Sequence, residues 1–176
     1  MLYIEKLKPL KRVSWALSRT CLRATRDNII NDLVQWASNS GESGTSKDSR
    51  ICVLRGPRGC GKSSIAHSVA EAFHLQNRLG AAIFLDDRKK GEFIGSQIIS
   101  TTIASQLASY DKTTRAAIAA KIEIDDSLTE VDIARQFPHL ILSATKGLAL
   151  IGPICIIIDG LENIDNNGRS FQKSPF

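Results

Sequence analysis

The sequence predicts an α/β fold with a parallel sheet, and three observations predict it. Short apolar runs alternate with stretches of helical periodicity. A glycine-rich turn separates the first run from the helix that follows it. The last run, Ile154-Cys155-Ile156-Ile157-Ile158, is strongly β-branched and delivers one acid, Asp159, at its end. The 176 residues suffice for about one domain with a sizeable core. At 43% hydrophobic and 23% charged, the composition excludes a mostly disordered, collagen-like or coiled-coil chain.

Taken in order, residues 1–27 read as a basic N-terminal arm. Positions 1–26 hold seven Lys/Arg (Lys6, Lys8, Lys11, Arg12, Arg19, Arg23, Arg26) against one acid, Glu5. The net charge of +5 therefore belongs to this arm, which reads as solvated or as meeting an acidic partner or a membrane surface, and the remaining body is nearly neutral. Residues 28–50 read as a helix and a linker. Ile29, Ile30, Leu33, Val34 and Trp36 recur at helical spacing over 28–37, with Asp27 or Asn28 as cap, and the Ser/Gly/Thr-rich stretch 38–50 follows as a loop.

Residues 51–165 read as the core. Ile51 to Leu54 is an apolar run stopped by Gly56-Pro57, suited to a strand buried on both faces. The spacing of Ile65, Val69, Ala72 and Phe73 predicts a helix over 62–75, and Ala81 to Leu85 predicts a second strand, closed by the charged turn 86–90. Helical patterns cover 93–109, 112–122 and 129–145 before the third strand at 154–158. Residues 166–176 read as a polar tail. The longest apolar stretch, 147–158, is twelve residues broken by Gly152 and Pro153, too short for the ~18–20 residues of a membrane span. The four cysteines, Cys21, Cys52, Cys60 and Cys155, are too dispersed for a paired Cys-x-x-Cys metal site, so a reducing, cytoplasmic setting is the default.

The chemistry concentrates in Gly56-Pro57-Arg58-Gly59-Cys60-Gly61-Lys62-Ser63, which fits G-x-x-x-x-G-K-[ST] without mismatch, between a predicted strand and a predicted helix. Glycines let such a loop curl so that backbone N–H groups converge on phosphate oxygens, and the helix N-terminus adds its positive dipole end. In this P-loop reading, Gly56 through Ser64 bind a nucleoside triphosphate, Lys62 neutralises its β/γ-phosphates, and the Ser63 hydroxyl takes a place on Mg²⁺. Arg58 reads as a solvated loop charge. Cys60 reads either as a small loop residue or as an oxidisable thiol beside a lysine and a helix start. Asp159, where the third strand emerges, is the metal-side acid, and Glu162 is the candidate catalytic base.

These residues resemble the NACHT-type NTPases of the STAND class, especially fungal (basidiomycete) ones. Cys21-Leu22-Arg23-Ala24-Thr25-Arg26 is similar to that family's Cys-x-x-Gly-Thr-Arg block, with Ala24 replacing the glycine. Leu54 to Ala66 resembles its phosphate loop, Leu79 to Phe84 its second strand, and Thr102 to Ala108 and Gln136 to Leu142 later helices. The resemblance implies a three-layer P-loop NTPase core preceded by a helical segment, with Arg26 near the nucleotide. Two departures matter. The family's Asp-Ala-Leu-Asp-Glu is here Asp159-Gly160-Leu161-Glu162-Asn163, and the amide of Asn163 cannot accept a proton as a carboxylate can. The family also implies a five-stranded sheet, with the fourth strand between the first and third, followed by a sensor residue, a helical lid and a winged-helix segment, and residues 163–176 are too short and polar to supply two strands and a lid. The core is therefore expected to be incomplete, with about three strands.

The expected function is binding of ATP or GTP with Mg²⁺ as a signalling switch, with weak or no hydrolysis. The alternative is a non-catalytic truncated remnant or adaptor that associates with itself or with a full-length NACHT relative. A phosphotransferase would need an arginine-rich lid that does not follow Asp159. Nucleic acid is disfavoured as a partner because the arm lacks interleaved aromatics.

Overall fold

The computed structural model describes residues 2–11, 13–39, 51–85, 94–146 and 153–165. The linker 40–50, the charged turn 86–90 and the polar tail 166–176 lie outside the described residues. The helices are α1 (Leu2–Glu5), α2 (Asp27–Asn39), α3 (Lys62–Leu75), α4 (Ser96–Tyr110), α5 (Lys112–Ile124), α6 (Ile133–Gln136) and α7 (Ser143–Thr145); the strands are β1 (Leu79–Phe84), β2 (Ile94–Gly95), β3 (Cys155–Asp159) and β4 (Ile164–Asp165). β1 neighbours β3, and β2 pairs in parallel with β4 in the register Ile94 to Ile164. The arrangement is mixed and helix-rich, compatible with the α/β class. Among the described residues no helix is long and apolar enough to cross a membrane. The chain divides into two units, one of 1–13, 83–148 and 160–176, the other of 14–82 and 149–159.

The first unit is built on a helical hairpin. Asp111 alone joins α4 to α5, and its carboxylate caps α5 by accepting the Thr114 N–H at 2.6 Å. α4 packs on α5, and Ile99, Ile103 and Leu107, which recur every four residues on α4, are buried, as are Ile118 and Ile122 of α5. The helical pattern expected over 129–145 begins only at Ile133, where Asp132 accepts the N–H groups of Ala134 and Arg135. It then widens into a π-helical segment, Phe137–Leu142, around Pro138, which has no N–H to give the regular ladder.

Residues 2–13 differ from the solvated arm expected of them. Leu7 and Val13 are buried, the Leu10 N–H donates to Thr102 Oγ1 at 2.9 Å, and the Phe84 N–H donates to the Val13 carbonyl at 2.8 Å. Lys6 pairs with Asp126 at 3.0 Å in solvent. The apolar residues between the lysines are enough to fold the segment down. Its described charged groups, Glu5, Lys6, Lys8 and Lys11, stay exposed.

The second unit carries the glycine loop. Ile65, Val69 and Phe73 form one face of α3 and bury against the stripe Ile30, Leu33, Val34 and Ala37 of α2, with Leu79, Cys155 and Ile157 of the strands. Residues 14–21 lie along α3 as a strap. The Ala16 N–H donates to His67 Nδ1 at 3.2 Å, the Cys21 N–H to Ser68 Oγ at 2.9 Å, and Trp15 stacks obliquely on His74 with ring centres 5.1 Å apart.

The strand expected at Ile51 to Leu54 is not formed. Residues 51–57 have no regular structure, and Ile51 and Val53 are 78% and 63% exposed. A run buried on both faces requires a neighbour on each side, and the described strands pair only as β1 with β3 and β2 with β4.

Burial pushes the Cys155 thiol up to about 11 from its ordinary value near 9, against the opposing pull of the Arg78 guanidinium. Below about pH 9 the thiol is protonated whether the chain is folded or not, and its contribution to stability is complete. As pH rises towards 11 the unfolded chain ionises first, so stability falls. Urea midpoints at about pH 8 and about pH 10.5 should differ more for the parent chain than for Cys155→Ala. Equal differences would refute the shift.

Candidate functional site

The site grows from the start of α3. Gly61 is the residue before the helix and has φ of +88°, and Gly59 has φ of +80°, so the two glycines take the left-handed conformations that turn the loop. The Cys60 N–H donates to the Pro57 carbonyl at 3.4 Å, and the Cys60 thiol packs over Gly56, where a Cβ would come within 2.9 Å of the sulfur. Pro57, Arg58 and Gly59 are exposed, while Cys60 through Ser64 are half-buried. The N–H groups of α3 before Ile65 have no acceptor within the helix, as at any helix start.

Two cations rest on backbone carbonyls of this loop. Lys62 Nζ donates to the carbonyls of Gly56 and Pro57, each at 2.9 Å, and lies 3.9 Å from Cys60 Sγ. Arg26 Nη1 donates to the Gly61 carbonyl at 3.3 Å. That oxygen also accepts the Ile65 N–H at 3.0 Å, closing the first turn of α3. A Cβ on Gly61 would fall on the Arg26 guanidinium, so the missing side chain is what admits the arginine. Both side chains are thus held at the helix N-terminus by neutral oxygens that a phosphate outcompetes as an acceptor.

The segment before α2 was only partly legible in the sequence. Leu22 to Thr25 forms a turn whose third residue, Ala24, has φ of +60°, and Arg26 has φ of +62°. Ala24 therefore occupies a backbone position that favours glycine. Ala24→Gly is expected to raise stability by about 0.5–1 kcal/mol, the left-handed penalty less the entropy glycine adds to the unfolded chain. Urea unfolding measures it, and a loss of stability would mean that the turn is otherwise built.

The remaining candidates fall in both units. Asp159 is half-buried at the end of β3, a strand that packs on α3 within the second unit. Glu162 is exposed in the 3₁₀ turn Leu161–Asn163 and belongs to the first unit. Asn163 braces that turn, with its Nδ2 donating to the Leu85 carbonyl at 3.1 Å and its N–H to the Gly160 carbonyl at 3.0 Å. Gly160, at φ of +81°, lets the turn close, since a Cβ there would press on Leu85. Among the described residues no group of three or more His, Cys, Asp or Glu is placed to hold a metal. A hollow of about 260 Å³ beside the strap, lined by Thr20, Arg23, Asp27, Ser68 and Glu71 among others, shares no residue with the glycine loop. Its two carboxylates suit it poorly to phosphate.

No curated protein and no solved structure matches the chain. A family model does: that of nephrocystin 3, N-terminal, matches residues 25–173, from the Thr25-Arg26 pair through the glycine loop to beyond β4. With most of its length covered by that match, the chain belongs to the nephrocystin 3 N-terminal family.

Proposed function

We propose that the chain is a nucleoside-triphosphate-binding module of NACHT type, a switch in which the glycine loop holds the phosphates of ATP or GTP with Mg²⁺. The observation that carries this reading is the pair of cations, Lys62 and Arg26, held on carbonyls of a loop turned by Gly59 and Gly61 at the N-terminus of α3. Phosphate oxygens are stronger acceptors than peptide carbonyls, so a bound triphosphate draws both cations to itself. The helix dipole and the free N–H groups of Lys62, Ser63 and Ser64 add to the attraction.

Ser63 and Asp159 fit Mg²⁺ by donor chemistry, a hydroxyl and a carboxylate being hard oxygen ligands. The chemistry Mg²⁺ supplies when bound is neutralisation of charge between the β- and γ-phosphates. Ser63, in the first turn of α3, and Asp159, at the end of β3, are the residues that would hold the ion. Weak or absent hydrolysis follows from the Asp159 to Asn163 segment. Asn163 presents an amide already committed to the Leu85 carbonyl, and an amide cannot accept a proton as a carboxylate can, so the candidate base of that turn would be the exposed Glu162.

The test is a calorimetric titration of the folded full chain with MgATP and MgGTP. Saturable binding at or below about millimolar ligand is expected for one or both, and none at that concentration sinks the reading. The exposed apolar segment Ile51 to Leu54 supports a second reading, a non-catalytic adaptor that pairs this run with another copy or with a full-length relative. Sedimentation across a range of concentrations tests self-association, and a monomer throughout removes that form of it.

A further inference from the structure

The turn before α2 is more closely tied than the start of a helix requires. Thr25 gives both of its donors to one acceptor, its N–H at 3.0 Å and its hydroxyl at 2.5 Å to the Leu22 carbonyl. Around it two residues that are not glycine, Ala24 and Arg26, are held left-handed, a conformation that persists only where the surroundings enforce it. The enforcing contacts lie on both sides. The Cys21 N–H is anchored to Ser68 Oγ of α3, and the Arg26 carbonyl accepts the Ile30 N–H at 3.1 Å, starting α2. A helix start needs neither unusual backbone angle, since an ordinary extended residue caps a helix well. What the left-handed backbone at Arg26 does achieve is direction. It sends the guanidinium across to the Gly61 carbonyl, into the space that the glycine leaves open.

We infer that Thr25 is a positioning residue: its hydroxyl locks the turn that holds the Arg26 guanidinium at the N-terminus of α3, ready for the phosphates. It touches no ligand itself. The inference rests on the nucleotide-binding reading above and adds to it which side chain fixes the arginine in place. A flexible arginine loses rotamer freedom when it closes on a ligand, and one already held loses less, so the lock acts as affinity.

The experiment is a double-substitution cycle on the full chain, with MgATP as the probe and thermal unfolding as the check on folding. Thr25→Val keeps the β-branched shape and removes the hydroxyl; it is expected to weaken MgATP binding about fivefold, the effect of one hydrogen bond. Thr25→Ser, which keeps the hydroxyl, is expected to bind within about twofold of the parent. In an Arg26→Gln background the Thr25→Val change is expected to add nothing, because the group it positions is gone. A merely structural threonine behaves otherwise: its loss lowers the melting temperature equally in both backgrounds and leaves affinity alone or weakens it equally in both. Either of those results, or failure of serine to restore binding, overturns the inference while leaving nucleotide binding intact. A parent chain that binds no MgATP overturns the nucleotide reading, and this inference with it.

Discussion

Lys62→Ala is expected to lower MgATP affinity by about a hundredfold or more while hardly moving the unfolding transition. The two halves of that result have different physical origins. In the free chain Lys62 Nζ sits on the carbonyls of Gly56 and Pro57 at 2.9 Å, and both residues are exposed. When the lysine is removed, water takes over those oxygens, and folding loses little. A bound triphosphate offers several negative charges to the same ammonium in a partly enclosed loop, where charge-assisted hydrogen bonds are about twice as strong as neutral ones. Calorimetry gives the affinity and thermal unfolding the stability. Affinity within about threefold of the parent would show that the loop does not use its lysine on phosphate.

The pattern of what could be read from the sequence follows from the range of the interactions involved. α3 begins and ends where its apolar spacing places it, at Lys62 and Leu75, because Gly61 before it and the Ile65, Val69, Phe73 face within it are local signals. Gly59 and Gly61 likewise declare their positive φ through residue type. Ala24 does so only through the glycine that stands there in the NACHT-type block it resembles. The strand expected at Ile51 to Leu54 shows the limit. Its composition is that of a buried strand, yet a strand exists by its neighbours, and composition says nothing of whether they are present. The pairing of Ile94-Gly95 with Ile164-Asp165 is too short for any periodicity to reveal. The folding down of residues 2–13 depends on Thr102 and Phe84, far along the chain. The cations of the site divide in the same way: Lys62 is legible from the motif itself, whereas Arg26 is placed near the loop only through the resemblance, because its contact with Gly61 spans 35 positions.

Arg78 belongs wholly to the part that sequence periodicity cannot show, and its loss is expected to be the most destabilising change in the second unit. It lies in the short connection between α3 and β1, where a charged residue would ordinarily be taken for a solvated turn. Instead its Nε donates to the Pro153 carbonyl at 2.9 Å and its Nη1 to Ser38 Oγ at 3.1 Å, while the guanidinium lies over the Phe73 ring at 5.2 Å. One side chain thus ties the end of α2, the end of α3 and the residue leading into β3. The backbone supports the same junction through the Cys155 N–H on the Arg78 carbonyl at 2.8 Å, a bond no side-chain substitution removes. Arg78→Ala is expected to cost about 3 kcal/mol, from about 1.5–3 for hydrogen bonds made by a charged group and about 0.5–1 for the ring contact. Arg78→Lys should recover only part of this, because an ammonium lacks the planar fork that reaches Pro153 and Ser38 in separate directions. Urea unfolding of the three chains decides it. A loss below about 1 kcal/mol for the alanine, or full recovery by lysine, would mean that the guanidinium is held by the fold and does not hold it.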